Sequence, residues 1–232
     1  PSRRREPLAY FHRSGPLGQV FGEFSGENAK SRIAVVGLGT GTIVAYREPG
    51  QHFTFYEIDP AIQRIAESPD LFTYLSDSGN DAYDIVLGDG RGMLARAQDR
   101  SFGMIILDAF SSDVIPVHLL TREAIALYYR KLADDGFLVF HISNPHVNLK
   151  PVLGNLAANA NSRCWICRDQ FVTSSQRATG REPTLYAVMA RDKSHLKGLL
   201  RIDSDLPWIE ITPKEPGPAW TDDFSDVFNI LR

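Results

Sequence analysis

The apolar residues of this chain fall into short unbroken runs, and the stretches between them carry either helical spacing or turn-forming residues. RIAVVGLG (32–39) is continuously apolar and ends in glycines, the pattern of a strand covered on both faces. HFTFYEID (52–59) is a second strand, rich in aromatics and Thr, and YDIVLGDG (83–90) and GMIILDAF (103–110) are a third and fourth. FLVFHIS (137–143), RCWICRD (163–169) and TLYAVMAR (184–191) complete seven. Between them DPAIQRIAES (59–68) has apolar residues at helical spacing, with Asp59 as N-cap and Pro60 at the first helical position. TREAIALYYRKLADDG (121–136) is the clearest helix: Thr121 caps it, Glu123 lies in its first turn and Gly136 follows its end. PVLGNLAANA (151–160) reads as a third helix. No helix of useful length separates the last two strands, so they are expected to pair antiparallel.

Strands alternating with helices predict an α/β fold. The expected architecture is a doubly wound, mostly parallel seven-stranded sheet, Rossmann-like, with an antiparallel edge. That core spans 31–195. Residues 1–30, with GPLGQVFGEF (15–24), are expected to form an N-terminal β appendage or arm. Residues 196–232, richer in Pro, Asp and Trp, are expected to wrap the core irregularly.

Composition narrows the function classes. The 232 residues are 43% hydrophobic and 23% charged, enough for one well-packed domain. A formal net charge of −3 gives no basic surface for nucleic acid, and the SRRR cluster at residues 2–5 reads as a solvated tail. Cys164 and Cys167 form a lone CxxC, half of a zinc site without a second half. On a strand, positions i and i+3 face opposite ways, which disfavours a disulfide as well. They read as structural thiols in a reducing compartment, and a cytoplasmic location is the expectation. No apolar run approaches the length of a membrane span and no signal peptide is evident.

The candidate chemistry lies where the apolar runs stop. VVGLGTGT places Gly37, Gly39 and Gly41 at the turn after the first strand, where glycines permit a tight turn and close approach of a ligand to a helix N-terminus. The dinucleotide pattern G-x-G-x-x-G/A is incomplete, since Thr42 stands at its sixth position. Glu57 ends the second strand, where a carboxylate can accept from a ribose diol. Asp89 ends the third and can accept from an adenine amino group, with Gly88 and Gly90 leaving room for a ring. Asp108 ends the fourth, and Asp113 follows in the same loop. Ligands of open α/β sheets bind beyond the carboxyl ends of the strands. Four successive strands ending in Gly, Glu, Asp and Asp therefore outline one crevice for an adenosine-type ligand.

These residues resemble the spermidine synthase family, the polyamine aminopropyltransferases, which share the fold of S-adenosylmethionine methyltransferases. The similarity covers roughly 30–190 and rests on VVGLGTGT, FYEIDP, LGDGR and LDAFSSDVIPVHLLTREA. YFHRSGPLGQVF and WTDDFSDVF look like the branch in which such a domain occurs alone or attached to a membrane-spanning portion. The resemblance implies aminopropyl transfer from decarboxylated S-adenosylmethionine to putrescine or a related amine, releasing methylthioadenosine. It implies that the glycine loop and Glu57 hold the nucleoside donor, that Asp89 contacts the adenine and that Asp108 is the catalytic aspartate. Asp113 is the nearest match to the aspartate that helps hold the diamine. Tyr10, His12 and Gln19 lie where the family has its tyrosine-histidine segment. A homodimer is implied too; no metal and no permanently bound cofactor is required. Thr40 stands where the family's glycine loop has an acid, and DAFSSD is two residues longer than the family's usual loop.

Two further readings remain: a methyltransferase using intact S-adenosylmethionine, and a non-catalytic nucleoside-binding domain. His118, after the acidic loop, can border the site, whereas His141, in an apolar strand, reads first as a core histidine. Ser143 and Asn144 either line the acceptor side or cap a loop. Asp222 and Asp223 either approach the amine pocket or form a solvated turn. Trp165, Trp208 and Trp220 read as packing residues. No GxSxG, HExxH or P-loop occurs.

Overall fold

A computed structural model describes residues 4–110, 115–202, 204–213 and 217–231. Its centre is one eight-stranded sheet of β1 (Arg32–Val36), β2 (His52–Glu57), β3 (Tyr83–Leu87), β4 (Phe102–Leu107), β5 (Leu132–His141), β6 (Arg163–Asp169), β7 (Thr184–Ala190) and β8 (Trp208–Ile211). The spatial order is β3-β2-β1-β4-β5-β7-β6-β8. β1 to β5 run parallel, and β7, β6 and β8 form the antiparallel edge expected for the last strands. The order reverses between β1 and β4, so a crevice opens at the carboxyl ends of those strands.

Helices α1 (Pro16–Glu23), α2 (Pro60–Ala66), α3 (Tyr74–Ser78), α4 (Gly90–Arg96), α5 (Arg122–Lys131), α6 (Lys150–Asn159) and α7 (Ser174–Ala178) connect and cover the strands. The sheet divides the core in two. Leu94 of α4, Tyr128 of α5 and Leu153 of α6 pack with Ile105 and Phe140 on one face. Leu17 and Val20 of α1, Ala66 of α2 and Leu75 of α3 pack with Val35 and Phe55 on the other. Burying each such large apolar side chain contributes about 1.5–3 kcal/mol. The strands alternate between the two faces, so Cys164 belongs to the first core and Cys167 to the second, both as free buried thiols.

Four departures from the sequence reading have local causes. The eighth strand comes from the tail expected to wrap irregularly, where WIEI pairs with β6 and buries Trp208. In the expected β appendage, 16–23 is helical instead: Leu17, Val20, Phe21 and Phe24 recur at helical spacing and all are buried, with Pro16 starting the helix. The segment after the glycine loop is only a 3₁₀ turn, Thr42–Tyr46, because Pro49 and Gly50 follow too soon for a longer helix. Finally, α5 stops at Lys131, not near Gly136. The Arg100 and Ser101 amides donate to the Arg130 and Lys131 carbonyls, drawing the chain directly into register with β4 at Phe102↔Leu132.

Candidate active site

A cavity of about 690 Å³ lies at the carboxyl ends of β1, β2, β3 and β4. Gly37, Gly39, Glu57, Asp89, Gly90, Asp108, His118 and Tyr10 all line it, together with Tyr56, Asp59, Phe110 and a few aliphatic residues. Gly41 does not line it; the residue starts the 3₁₀ turn, and a Cβ there would meet Leu75 at 2.7 Å. Gly37 has φ +99° and lies so close to the neighbouring strand that a Cβ would come within 2.4 Å of the Asp108 carbonyl oxygen. Only glycine lets the first loop pass the end of β4 at this distance.

Glu57 is 8% exposed and is held by the backbone. The Leu38 amide donates to its Oε2 at 3.0 Å and the Asp59 amide to its Oε1 at 2.9 Å. Each carboxylate oxygen keeps a lone pair for a ligand hydroxyl. Asp89 caps α4, accepting from the Gly92 amide at 2.7 Å, and its other oxygen takes His118 Nε2 at 3.0 Å. His118 is thereby drawn onto the wall next to Asp89.

Asp108 is nearly enclosed, with a side chain 7% exposed. Its Oδ1 lies 2.7 Å from His141 Nδ1, and the imidazole Nε2 lies 2.9 Å from Ser143 Oγ. Its Oδ2 makes no hydrogen bond among the described residues. The sequence reading left His141 in the core and missed this pairing. The signal was in the strand register: Leu107 pairs with Phe140 in a parallel ladder, so the next residues on the two strands are neighbours. Tyr10 stacks on the same imidazole, and burial together with the Asp108 charge holds its phenol well above the usual range. Burial also pushes the Tyr56 phenol up to about 12.

Other expected residues lie elsewhere. Gln19 faces a separate cavity and is committed to the fold, donating to Ser204 Oγ and the Leu206 carbonyl and accepting from Trp208 Nε1. His12 pairs with Ser14 and does not line the cavity; burial and the Arg181 charge lower its pKa. Asp113 lies outside the described residues. Asn144 caps its loop, accepting from the His146 and Val147 amides. Ser143 is tied to the sheet through Thr184 and the Leu185 amide. Asp222 grips Arg91 at 2.6 and 2.8 Å beside His118, fastening the C-terminal segment to the rim. Trp165, Trp208 and Trp220 are buried packing residues.

No family model matches the chain. Over 113 residues, 47% of its length, it is 35% identical to the polyamine aminopropyltransferase of Vibrio vulnificus (strain CMCP6). Over that stretch the chain is similar to a member of the spermidine synthase family. It spans 36% of the length of that curated relative. Among solved structures, a probable spermidine synthase from Corynebacterium glutamicum ATCC 13032 matches with TM-score 0.59 and 17% identity, covering 84% of this chain and 73% of that one. The spermidine synthase of Thermotoga maritima matches with TM-score 0.50 and 16% identity, covering 77% of this chain and 61% of that one. At such identities the structural likeness concerns the fold, which is Rossmann-like. Among the described residues no helix is long and apolar enough to cross a membrane.

Proposed function

We propose that the chain is an aminopropyltransferase, moving the aminopropyl group of decarboxylated S-adenosylmethionine to putrescine or a related amine and releasing methylthioadenosine. The observation that carries this reading is the charge of the cavity. Its described lining holds four carboxylates (Glu57, Asp59, Asp89 and Asp108), one imidazole (His118) already paired with Asp89, and no Lys or Arg. Such a wall attracts a donor bearing both a sulfonium and an ammonium. An intact methionine carboxylate in the same place would face like charge without a cation to offset it.

In this reading the glycine loop and Glu57 hold the nucleoside, Asp89 and Gly90 border its base, and Tyr10, Phe110 and His118 wall the amine side. An alkylamine has a pKa near 10, as Lys does, and arrives protonated. It attacks carbon only after losing that proton. Asp108 attracts the cation, orients it and accepts the proton through its unbonded oxygen. The nitrogen lone pair then forms the C–N bond while the C–S electron pair leaves on sulfur, turning sulfonium into neutral thioether. Positioning carries much of the rate, because the leaving group is already activated. Asp113 is proposed as a second grip on the amine.

The test is turnover of the purified chain with decarboxylated S-adenosylmethionine and putrescine. Methylthioadenosine and spermidine forming together support the reading. Methyl transfer from intact S-adenosylmethionine instead would assign the site to a methyltransferase, and binding without product would assign it to a nucleoside-binding domain.

A further inference from the structure

The contacts of His141 extend past Asp108. Its imidazole is 4% exposed, does not line the cavity, and is packed between Tyr10 and Tyr186 at centroid distances of 4.2 and 4.7 Å, with Phe110 edge-on at 4.9 Å. Asp108, His141 and Ser143 stand in the order of a hydrolytic triad, yet Ser143 is not placed as a nucleophile. Its Oγ accepts the Leu185 amide at 2.8 Å, touches Thr184 Oγ1 at 3.1 Å and does not line the cavity. The hydroxyl is an anchor.

Counting protons places one on Nδ1. With Asp108 ionised, a contact of 2.7 Å between its Oδ1 and Nδ1 requires a proton on the nitrogen, because two lone pairs cannot share a bond. Ser143 has one proton and two lone pairs, and the Leu185 amide fills one lone pair. Ser143 serves either form of the ring: it donates to a bare Nε2, or accepts from Nε2–H and donates to Thr184, and in both Nδ1–H donates to Asp108. The other titratable groups packed on the ring are Tyr10 and Tyr186, both held above their usual range by burial and by the Asp108 charge. Neither ionises near neutral pH.

We propose that His141 is the positioning residue for Asp108, its Nδ1–H fixing Oδ1 so that Oδ2 alone receives the amine proton. This rests on the reading of Asp108 as the base. Two aromatic faces and one hydroxyl then hold the ring, and through it the carboxylate, in one orientation.

The test compares wild type with H141F, which keeps a ring in the stack, and H141N, whose amide N–H can reach the Nδ1 position. Loss of such an orienting partner lowers activity about 10- to 100-fold. We expect that loss in kcat for H141F, an unchanged dissociation constant for the nucleoside donor, and recovery of most of kcat in H141N. Nitrogen-15 NMR of the wild-type imidazole should show a proton on Nδ1. Equal kcat in H141F, a folded H141N no better than H141F, or an unprotonated Nδ1 would each overturn the proposal. If wild type transferred no aminopropyl group at all, the base reading would fail, while the Nδ1 proton seen by NMR would still decide whether His141 holds the carboxylate.

Discussion

Asp108 and Glu57 are both buried carboxylates on the same wall, but their partners differ. Glu57 takes two backbone amides that no side-chain substitution removes, whereas among the described residues Asp108 has one side-chain partner and a second oxygen without any. The proposed roles follow, Glu57 as a rigid acceptor for donor hydroxyls and Asp108 as a base. Asp108→Asn should therefore lower kcat by about 10²- to 10⁴-fold. Donor affinity, measured by calorimetry, should change little; near-normal turnover would remove Asp108 from the chemistry. Gly37→Ala makes a second prediction at this scale. A Cβ 2.4 Å from a carbonyl oxygen, at φ +99°, should cost roughly 1–3 kcal/mol or more, read as a lower midpoint in urea unfolding. Most wall residues were legible in the sequence because strand ends in a parallel sheet converge on one edge, so Gly37, Glu57, Asp89 and Asp108 needed no contact information to be grouped. His141 needed the register of two strands far apart in sequence. Gln19 and His12 were drawn toward the site by resemblance alone, and the helical turn of 16–23 carries Gln19 to another face.

At the scale of elements, continuous apolar runs marked the buried strands well, and errors gathered at ends and termini. Helix α5 has every start signal the sequence offered, including the Thr121 hydroxyl accepting from the Ala124 amide at 3.1 Å. Its stop is set by tertiary pairing with the chain before β4, which no local pattern encodes. WIEI is too short for its alternation to stand out, so β8 was hidden. The alternation in β6 does make a firm prediction. Cys164 and Cys167 face opposite cores, and burial pushes the Cys167 thiol up to about 12 and the Cys164 thiol higher still. Neither should react with a thiol reagent in the native protein, and both should react once it is unfolded in denaturant. Mass spectrometry after timed labelling reads this directly, and rapid native labelling of either would contradict the strand assignment.

Across the whole molecule, the C-terminal segment returns to the crevice. The Arg122 amide donates to the Trp220 carbonyl at 2.7 Å, and Asp222 joins Arg91 and Thr121. The Arg91 and Thr121 hydrogen bonds lower the Asp222 carboxyl from its ordinary 3.8 to about 2. Because the folded value is the lower one, this tie is complete above the unfolded value and lost as pH falls toward about 2. The side chain is 43% exposed, so salt should weaken the tie as well. Asp222→Asn should raise hydrogen exchange in residues 219–231 at neutral pH and remove its acid dependence; exchange identical to wild type at both pH values would show that Asp222 does not fasten the segment.

In the proposed reaction, the acidic cavity at the sheet's switch point selects a donor without a carboxylate. The most direct measurement is calorimetric titration of the protein with decarboxylated and intact S-adenosylmethionine side by side, each with and without putrescine. The account predicts tighter binding of the decarboxylated donor and the appearance of methylthioadenosine once putrescine is added. Tighter binding of the intact form would contradict it.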